Sequence, residues 1–145
     1  MKHSLEKLIR KNRYDNALPV SEIKAERSYY IIPVAKPRMT RRDKWQKRDC
    51  VMRYRDYCDE LRRQKVRFES GDHITFILPM PDSWSKKQRI NHNGTPHLFR
   101  PDADNLVKAV CDALYDNDSA IWDFRVTKIW GERGKIIIKT MDRNS

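Results

Sequence analysis

The sequence of 145 residues is poor in glycine and cysteine and has no long apolar run. Four glycines and seven prolines exclude collagen-like and low-complexity chains. No segment approaches the roughly 20 apolar residues that span a bilayer. Charged residues occupy the N-terminal segment, where a signal peptide needs an apolar centre. We therefore expect a cytoplasmic protein with no membrane partner.

The cysteines Cys50, Cys58 and Cys111 are odd in number and form no Cys-x-x-Cys pair. This pattern gives little support for a disulfide framework or a structural zinc site. We expect neutral thiols in a reducing compartment.

Positive charge is in large excess, because 31 lysines and arginines face 20 acidic residues and give a net charge of +11. Residues 36–67 alone hold thirteen basic and five acidic side chains. Such a balance favours a polyanionic partner, most plausibly nucleic acid. Between 102 and 125 the balance reverses, with six aspartates against Lys108 and Arg125. Because carboxylates repel phosphate, this reversal indicates that a divalent cation lies between them.

The hydrophobic pattern predicts one α+β domain over residues 28–145, with a small mixed sheet packed by helices, after an N-terminal extension at 1–27. In the extension, Leu5, Leu8 and Ile9 fit a short helix or a frayed end. The predicted elements are strands at 28–34, 73–80, 120–130 and 135–140 and helices at 44–67 and 104–114. We expect the last two strands to form a hairpin through 131–134 and residues 83–101 to form a long polar loop.

Each predicted helix has one apolar stripe. In the first helix the stripe is formed by Val51, Tyr54, Cys58 and Leu61. In the second it is formed by Leu106, Val110 and Leu114, while a separate stripe at the same spacing holds Asp104, Lys108 and Asp112. The polar stripe should therefore face away from the core.

Three aspartates around the second helix suggest a metal site. Asp102 and Asp104 are two residues apart at its start, and Asp118 follows about one helix length later. If the chain folds back, three carboxylates would form an oxygen-rich pocket suited to Mg²⁺, with the Lys108 ammonium nearby for developing negative charge. A structural interpretation stays open: Asp104 as an N-cap with Lys108 as its i,i+4 partner, and 116–119 as a turn.

The block from Arg100 to Leu114 (RPDADNLVKAVCDAL), followed by Asn117 to Ile121 (NDSAI), resembles the signature of the RusA family of Holliday-junction resolvases. The likeness is greatest to the phage and prophage branch. It extends to Lys36–Trp45, Pro81–Lys87 and Pro96-His97, and so covers about residues 30–139.

The resemblance implies a Mg²⁺-dependent endonuclease, with Mn²⁺ as an alternative ion, that works as a homodimer on four-way DNA junctions in recombination and repair. Each subunit would nick one of two opposing strands. By motif match, Asp102, Asp104 and Asp118 are the metal carboxylates and catalytic residues, Lys108 is the essential lysine, and Asn105 and Asp112 support the site. Many relatives have aspartate where this chain has Asn117, a departure that lowers the expected metal affinity if that position contributes.

The resemblance also gives the basic residues an interpretation as a DNA surface, with salt-sensitive and largely sequence-independent contacts to phosphate. Trp84 fits either stacking on an unpaired base or simple anchoring of its loop, and we expect His97 to be structural. For each lysine or arginine, a solvated charged face is the alternative. The candidate DNA-binding residues are Lys36, Arg38, Arg41, Arg42, Lys44, Trp84, Lys86 and Lys87.

Two other functions compete with junction resolution. A non-catalytic protein that binds branched DNA would have the same basic surface, with aspartates that only cap and turn. An endonuclease for another branched or single-stranded DNA would share the acidic motif.

Overall fold

A computed structural model describes residues 23–38 and 49–141 of the chain. These residues form a four-stranded mixed sheet with three helices, which confirms the predicted α+β class. A 3₁₀ turn at Asp118–Ala120 follows the last helix. In chain order the elements are β1 (Ile23–Tyr29), α1 (Asp49–Arg63), β2 (His73–Pro79), α2 (Lys86–His92), α3 (Ala103–Leu114), β3 (Arg125–Gly131) and β4 (Lys135–Met141).

The sheet has the strand order β1-β4-β2-β3. Strand β4 is antiparallel to both β1 and β2, and β3 is parallel to β2. The predicted hairpin between the last two strands is therefore wrong, because β2 lies between them. Ile136 and Ile138 of β4 are fully buried, and a strand with such side chains is best placed inside a sheet. The connection at 131–134 crosses the end of β2, where the Met80 amide donates to the Gly131 carbonyl over 3.1 Å.

The turn before β4 requires glycine at position 134. A Cβ atom there would lie 2.7 Å from the Cα of Ile32, which is closer than real contacts allow. The backbone of the segment after β1 therefore packs directly on this turn.

Two strands have bounds that differ from the prediction. Strand β1 begins at Ile23, inside the segment predicted as an extension, and ends at Tyr29. Pro33 lacks an amide donor, which is consistent with the end of the strand before it, at Tyr29. The strand predicted from 120 begins only at Arg125, and Trp122 just before it is exposed. The predicted helix around Leu5, Leu8 and Ile9 lies outside the described residues.

Helix α1 has the predicted apolar stripe. Val51, Tyr54, Cys58 and Leu61 are buried, together with Tyr57. The prediction extended the helix to 67, but it ends at Arg63 because Lys65 has a positive φ of 55°. The Val66 amide donates to the Leu61 carbonyl and the Lys65 amide to the Arg62 carbonyl, both at 3.0 Å, the pattern of a Schellman cap. Residues 44–48 lie outside the described part.

Helix α2 lies in the segment predicted as a loop, so that prediction is wrong in part. The Ser85 hydroxyl accepts from the Gln88 amide over 3.2 Å, and the Gln88 side chain accepts from the Ser85 amide over 2.8 Å. This reciprocal pair is a capping box. Its sequence signal, Ser-x-x-Gln, is visible in the chain and was missed because the segment lacks an apolar stripe.

The core lies between the sheet and helices α1 and α3. Ile74 and Phe76 of β2 and Ile136 and Ile138 of β4 belong to one buried cluster with residues of both helices. His73, Thr75 and Ile77 alternate with these core residues along β2, so they face the opposite side of the sheet. The helices are thus held on one face, and α3 presents its polar stripe to solvent.

All three cysteines lie in the part of the chain that the structure describes. Cys50, Cys58 and Cys111 are free thiols, the last two buried. Burial raises the pKa of both buried thiols, that of Cys111 to about 11. Within residues 23–38 and 49–141, no helix is both long and apolar enough to cross a bilayer.

His73 is expected to make stability depend on pH. Its ring is buried, its Nε2 lies 2.8 Å from the Thr127 hydroxyl, and its strand neighbours are Arg125 and Lys139. Burial first, and then these two cations, lower the His73 pKa to about 4. Because the unfolded chain binds the proton near pH 6.5 and the folded chain does not, stability should be present above pH 6.5 and fall towards pH 4, by up to about 3 kcal/mol.

Urea unfolding at pH 7.5 and pH 4.5 tests this expectation. His73→Gln should lose less stability than the wild type on acidification. Equal losses in the two proteins would show that His73 does not carry the pH dependence.

Candidate active site

Helix α3 separates its apolar and polar faces as predicted. Leu106, Val107, Ala109 and Val110 are buried, and Leu114 is half-buried. On the other side, Asp104, Lys108 and Asp112 are exposed. The amphipathic spacing therefore places a row of charged side chains, one in each helical turn, on the surface of the molecule.

The two aspartates at the start of α3 do not act as caps. The N-cap residue is Asp102, and its side chain makes no cap hydrogen bond. Asp104 lies in the first turn, and among the described residues it forms no ion pair with Lys108 or with any other cation. Both carboxylates are exposed. The structural interpretation of Asp104 as an N-cap paired to Lys108 is therefore not what the molecule shows.

Lys128 fixes the loop that leads into Asp102. Its ammonium group donates to the carbonyl oxygens of Phe99 at 2.5 Å and Pro101 at 2.7 Å. Burial lowers the pKa of Lys128, and the nearby Asp102 carboxylate opposes this shift. Lys128 is not among the residues that the sequence motifs predict for the site. Its signal is a lysine at an inward-facing position of β3, between Val126 and Trp130.

Replacing Lys128 with methionine should destabilise the fold. Two carbonyl groups would lose a charged donor, so we expect the free energy of unfolding to fall by about 2 kcal/mol. Urea denaturation at pH 7 measures this loss. Lys24→Met, at an exposed position of β1, should change stability by less than about 0.5 kcal/mol. Equal stability of the Lys128→Met variant and the wild type would contradict the assigned role.

Asp118 begins the 3₁₀ turn that follows α3 in the chain. The Asn117 side chain accepts from the Ser119 amide over 3.0 Å, so Asn117, and not Asp118, stabilises the 3₁₀ turn. The Asp118 carboxylate is exposed and lies within electrostatic range of Cys111, whose pKa it helps to raise after burial. An aspartate at position 117 would accept the same hydrogen bond, so this contact does not explain the asparagine.

The predicted convergence of three carboxylates is not observed. In the part of the chain that the structure describes, no three Asp, Glu, His or Cys side chains lie close enough to hold one metal ion. Asp102 and Asp104 lie at the start of α3, and Asp118 lies in the 3₁₀ turn that follows the helix in the chain.

Asp112 joins three segments of the fold. Its carboxylate lies 2.6 Å from the Lys36 ammonium and accepts from the Tyr54 hydroxyl over 3.2 Å. The Lys36 amide donates to the Asn105 carbonyl over 3.3 Å. Burial, then Cys58 and Asp112, raise the pKa of Tyr54 far above its usual value. Asn105 and Asp112 thus anchor the segment after β1 onto α3.

Trp84 and His97 both belong to one aromatic cluster. The Trp84 ring lies 4.6 Å from His92 and 4.7 Å from Trp130, which is the geometry of an anchored side chain. His97 is buried 4.0 Å from Trp130, and its Nδ1 accepts from the Phe99 amide over 3.4 Å. Burial and Lys128 lower the His97 pKa. The structural role of His97 stays a prediction, and its burial against Trp130 is consistent with it.

The predicted DNA-binding residues differ in their surroundings. The Lys36 ammonium is paired with Asp112, whereas Lys86 and Lys87 are exposed in the first turn of α2. Arg38 is exposed and has an interaction of its own. The remaining three, Arg41, Arg42 and Lys44, lie outside the described residues.

Comparison with known proteins identifies the family. The family model described as Endodeoxyribonuclease RusA matches residues 28–141, which is most of the chain. The chain belongs to the RusA family. The RusA family consists of nucleases that hydrolyse DNA. The matched segment contains α3 and the charged residues of its polar stripe. The resemblance inferred from the sequence motifs is confirmed.

One similar protein is the uncharacterized protein YqaN of Bacillus subtilis (strain 168). It is 34% identical over 71 residues, which cover 43% of this chain and 50% of YqaN. The chain therefore spans half the length of that relative.

Proposed function

We propose that this RusA-family protein is a divalent-metal-dependent endonuclease that resolves four-way DNA junctions by paired nicks in recombination and repair. The observation that supports it most is the exposure of three charged groups: Asp102 at the N-cap of α3, and Asp104 and Lys108 within the helix. Their side chains form no hydrogen bond or ion pair with another described side chain. A phage-type origin and a cytoplasmic location belong to the same proposal.

The carboxylates at the start of α3 fit Mg²⁺, with Mn²⁺ as a substitute. Mg²⁺ in nucleic-acid enzymes is commonly held by one or two protein carboxylates together with water and phosphate, and Asp102 and Asp104 supply such a pair. Asp118, which matches the third carboxylate of the family motif, is the further proposed ligand. When bound, the ion supplies Lewis-acid polarisation of the phosphodiester.

Lys108 is the proposed electrostatic group of the chain itself. It lies one helical turn after Asp104 on the same exposed face. Its ammonium group would stabilise negative charge that builds on the phosphate in the transition state. Lys128 has a structural role instead, because it holds the loop before Asp102 in position.

The basic surface and a homodimer complete the proposal. A net charge of +11 favours binding to phosphate that weakens steeply with salt. Lys86 and Lys87 are exposed for such contacts. Paired nicks in opposing strands require two active sites, which a two-fold symmetric dimer would supply.

Cleavage of synthetic DNA tests the proposal. Four-way, forked, linear and single-stranded substrates are incubated with the wild type in Mg²⁺, in Mn²⁺ and in EDTA. We expect paired nicks near the branch point of the four-way junction, with either metal and none in EDTA. Tight binding without products in both metals would support the non-catalytic alternative, and preferential cutting of forked or single-stranded DNA would support the other nuclease.

A further inference from the structure

Two apolar side chains are exposed immediately before the proposed active site. Leu98 is 82% exposed and Phe99 is 67% exposed. They lie in the loop that Lys128 ties down and that ends at Asp102. Large apolar groups this exposed beside a functional site indicate that something covers them in use.

Hydrogen bonds hold the backbone of Phe99, while much of its ring is exposed to solvent. Its carbonyl accepts from the Lys128 ammonium, and its amide donates to His97 Nδ1. Its ring meets the His97 ring edge-on, with centroids 6.2 Å apart, and lies 6.2 Å from Trp130. Binding to this ring would therefore order few additional groups, which lowers the entropic cost of an interaction.

The surroundings of Phe99 favour a nucleobase as the occupant. Arg100 follows directly and is exposed, with Lys128 close behind, so cations flank the apolar ring. A base presents a flat apolar face and carries a phosphate on either side, which matches this combination. Trp84 was the sequence-based candidate for stacking, but its ring is packed between His92 and Trp130.

The spacing from Phe99 to Asp102 limits which base can be reached. Three residues extend over at most about 11 Å, and successive nucleotides are about 3.4 Å apart along a strand. The ring would thus meet a base within about three nucleotides of a phosphate held at Asp102. We propose that Phe99 stacks on an unpaired base at the branch point and so selects open DNA over duplex, an inference that rests on the proposed function.

Fluorescence of 2-aminopurine tests this stacking directly. The probe is placed at the branch point of a four-way junction, and binding is followed in Ca²⁺ without Mg²⁺. The wild type should quench the probe, whereas Phe99→Ala should quench it less. Phe99→Ala should also bind the junction about 10-fold more weakly, equivalent to about 1.4 kcal/mol, with duplex affinity unchanged.

Two further variants keep the result clear. Phe99→Trp should restore both quenching and affinity, because it retains an aromatic face. Phe124→Ala removes another exposed phenylalanine, which packs against Phe68, and should leave quenching unchanged.

The outcomes separate this inference from the proposed function. Equal quenching and an unchanged ratio of junction to duplex affinity in Phe99→Ala would overturn the stacking role, even where the wild type cuts junctions. Loss of quenching in Phe99→Ala in a protein that cuts no DNA would retain the stacking role and reject the nuclease.

Discussion

Asp104→Asn is expected to reduce junction cleavage by at least about 100-fold while leaving junction binding intact. The substitution keeps the size of the side chain and removes the charge that a divalent ion needs. Because Asp104 is exposed and forms no ion pair with a described residue, the fold should lose less than about 1 kcal/mol, the size of a charge effect in a first helical turn. Initial rates on a labelled junction and a gel-shift titration measure the two properties.

A matched variant controls for the loss of one negative charge. Asp56→Asn removes an exposed carboxylate from α1 that has no ion pair in the described part of the chain, and it should cut at the wild-type rate. Wild-type cleavage by Asp104→Asn would show that the assignment of the site to the start of α3 is wrong.

Lys108→Met is the second variant with a large expected effect. The methionine retains most of the length of the side chain and lacks the ammonium group, so the transition state loses its stabilising charge. We expect about a 100-fold lower rate at saturating enzyme, with a smaller loss of affinity. Single-turnover kinetics on the four-way junction separates these two effects.

Lys108→Arg and Lys24→Met complete that experiment. The arginine retains the charge and should recover part of the rate, whereas Lys24→Met lowers the net charge at an exposed position of β1 and should cut normally. A Lys108→Met rate equal to that of Lys24→Met would mean that Lys108 contributes only general charge.

The two helices with an apolar stripe, α1 and α3, were the more predictable part of the fold. The stripes of α1 and α3 follow from the 3.6-residue period, which depends on local spacing alone. The partner of β4 does not follow from local spacing, because a short connection at 131–134 indicates a hairpin unless another strand lies between. The burial of Ile136 and Ile138 is the deciding feature, and it becomes visible only in the folded sheet.

The candidate site was predictable in its motif and not in its contacts. Asp102, Asp104 and Lys108 could be named from the sequence, as could the exposed face of α3. The position of the Asp118 carboxylate depends on how the chain continues after Leu114, and sequence spacing does not define it. The pairing of Lys36 with Asp112 joins distant parts of the chain and has no local signal.

Lys128 and Phe99 could not be predicted from local sequence spacing either. Neither belongs to the acidic motif, and both depend on the contact between β3 and the loop before α3. A lysine at an inward-facing strand position does indicate a structural role, because an ammonium group removed from water needs hydrogen-bond acceptors.

Binding of Mn²⁺ tests the central claim, that the start of α3 holds the catalytic cation. Free Mn²⁺ is followed by electron paramagnetic resonance while the wild type, Asp102→Asn, Asp104→Asn and Asp56→Asn are titrated in the presence of junction DNA. The account predicts at least about 10-fold weaker binding for the two α3 variants and wild-type binding for Asp56→Asn. Equal Mn²⁺ affinity in all four proteins would contradict it.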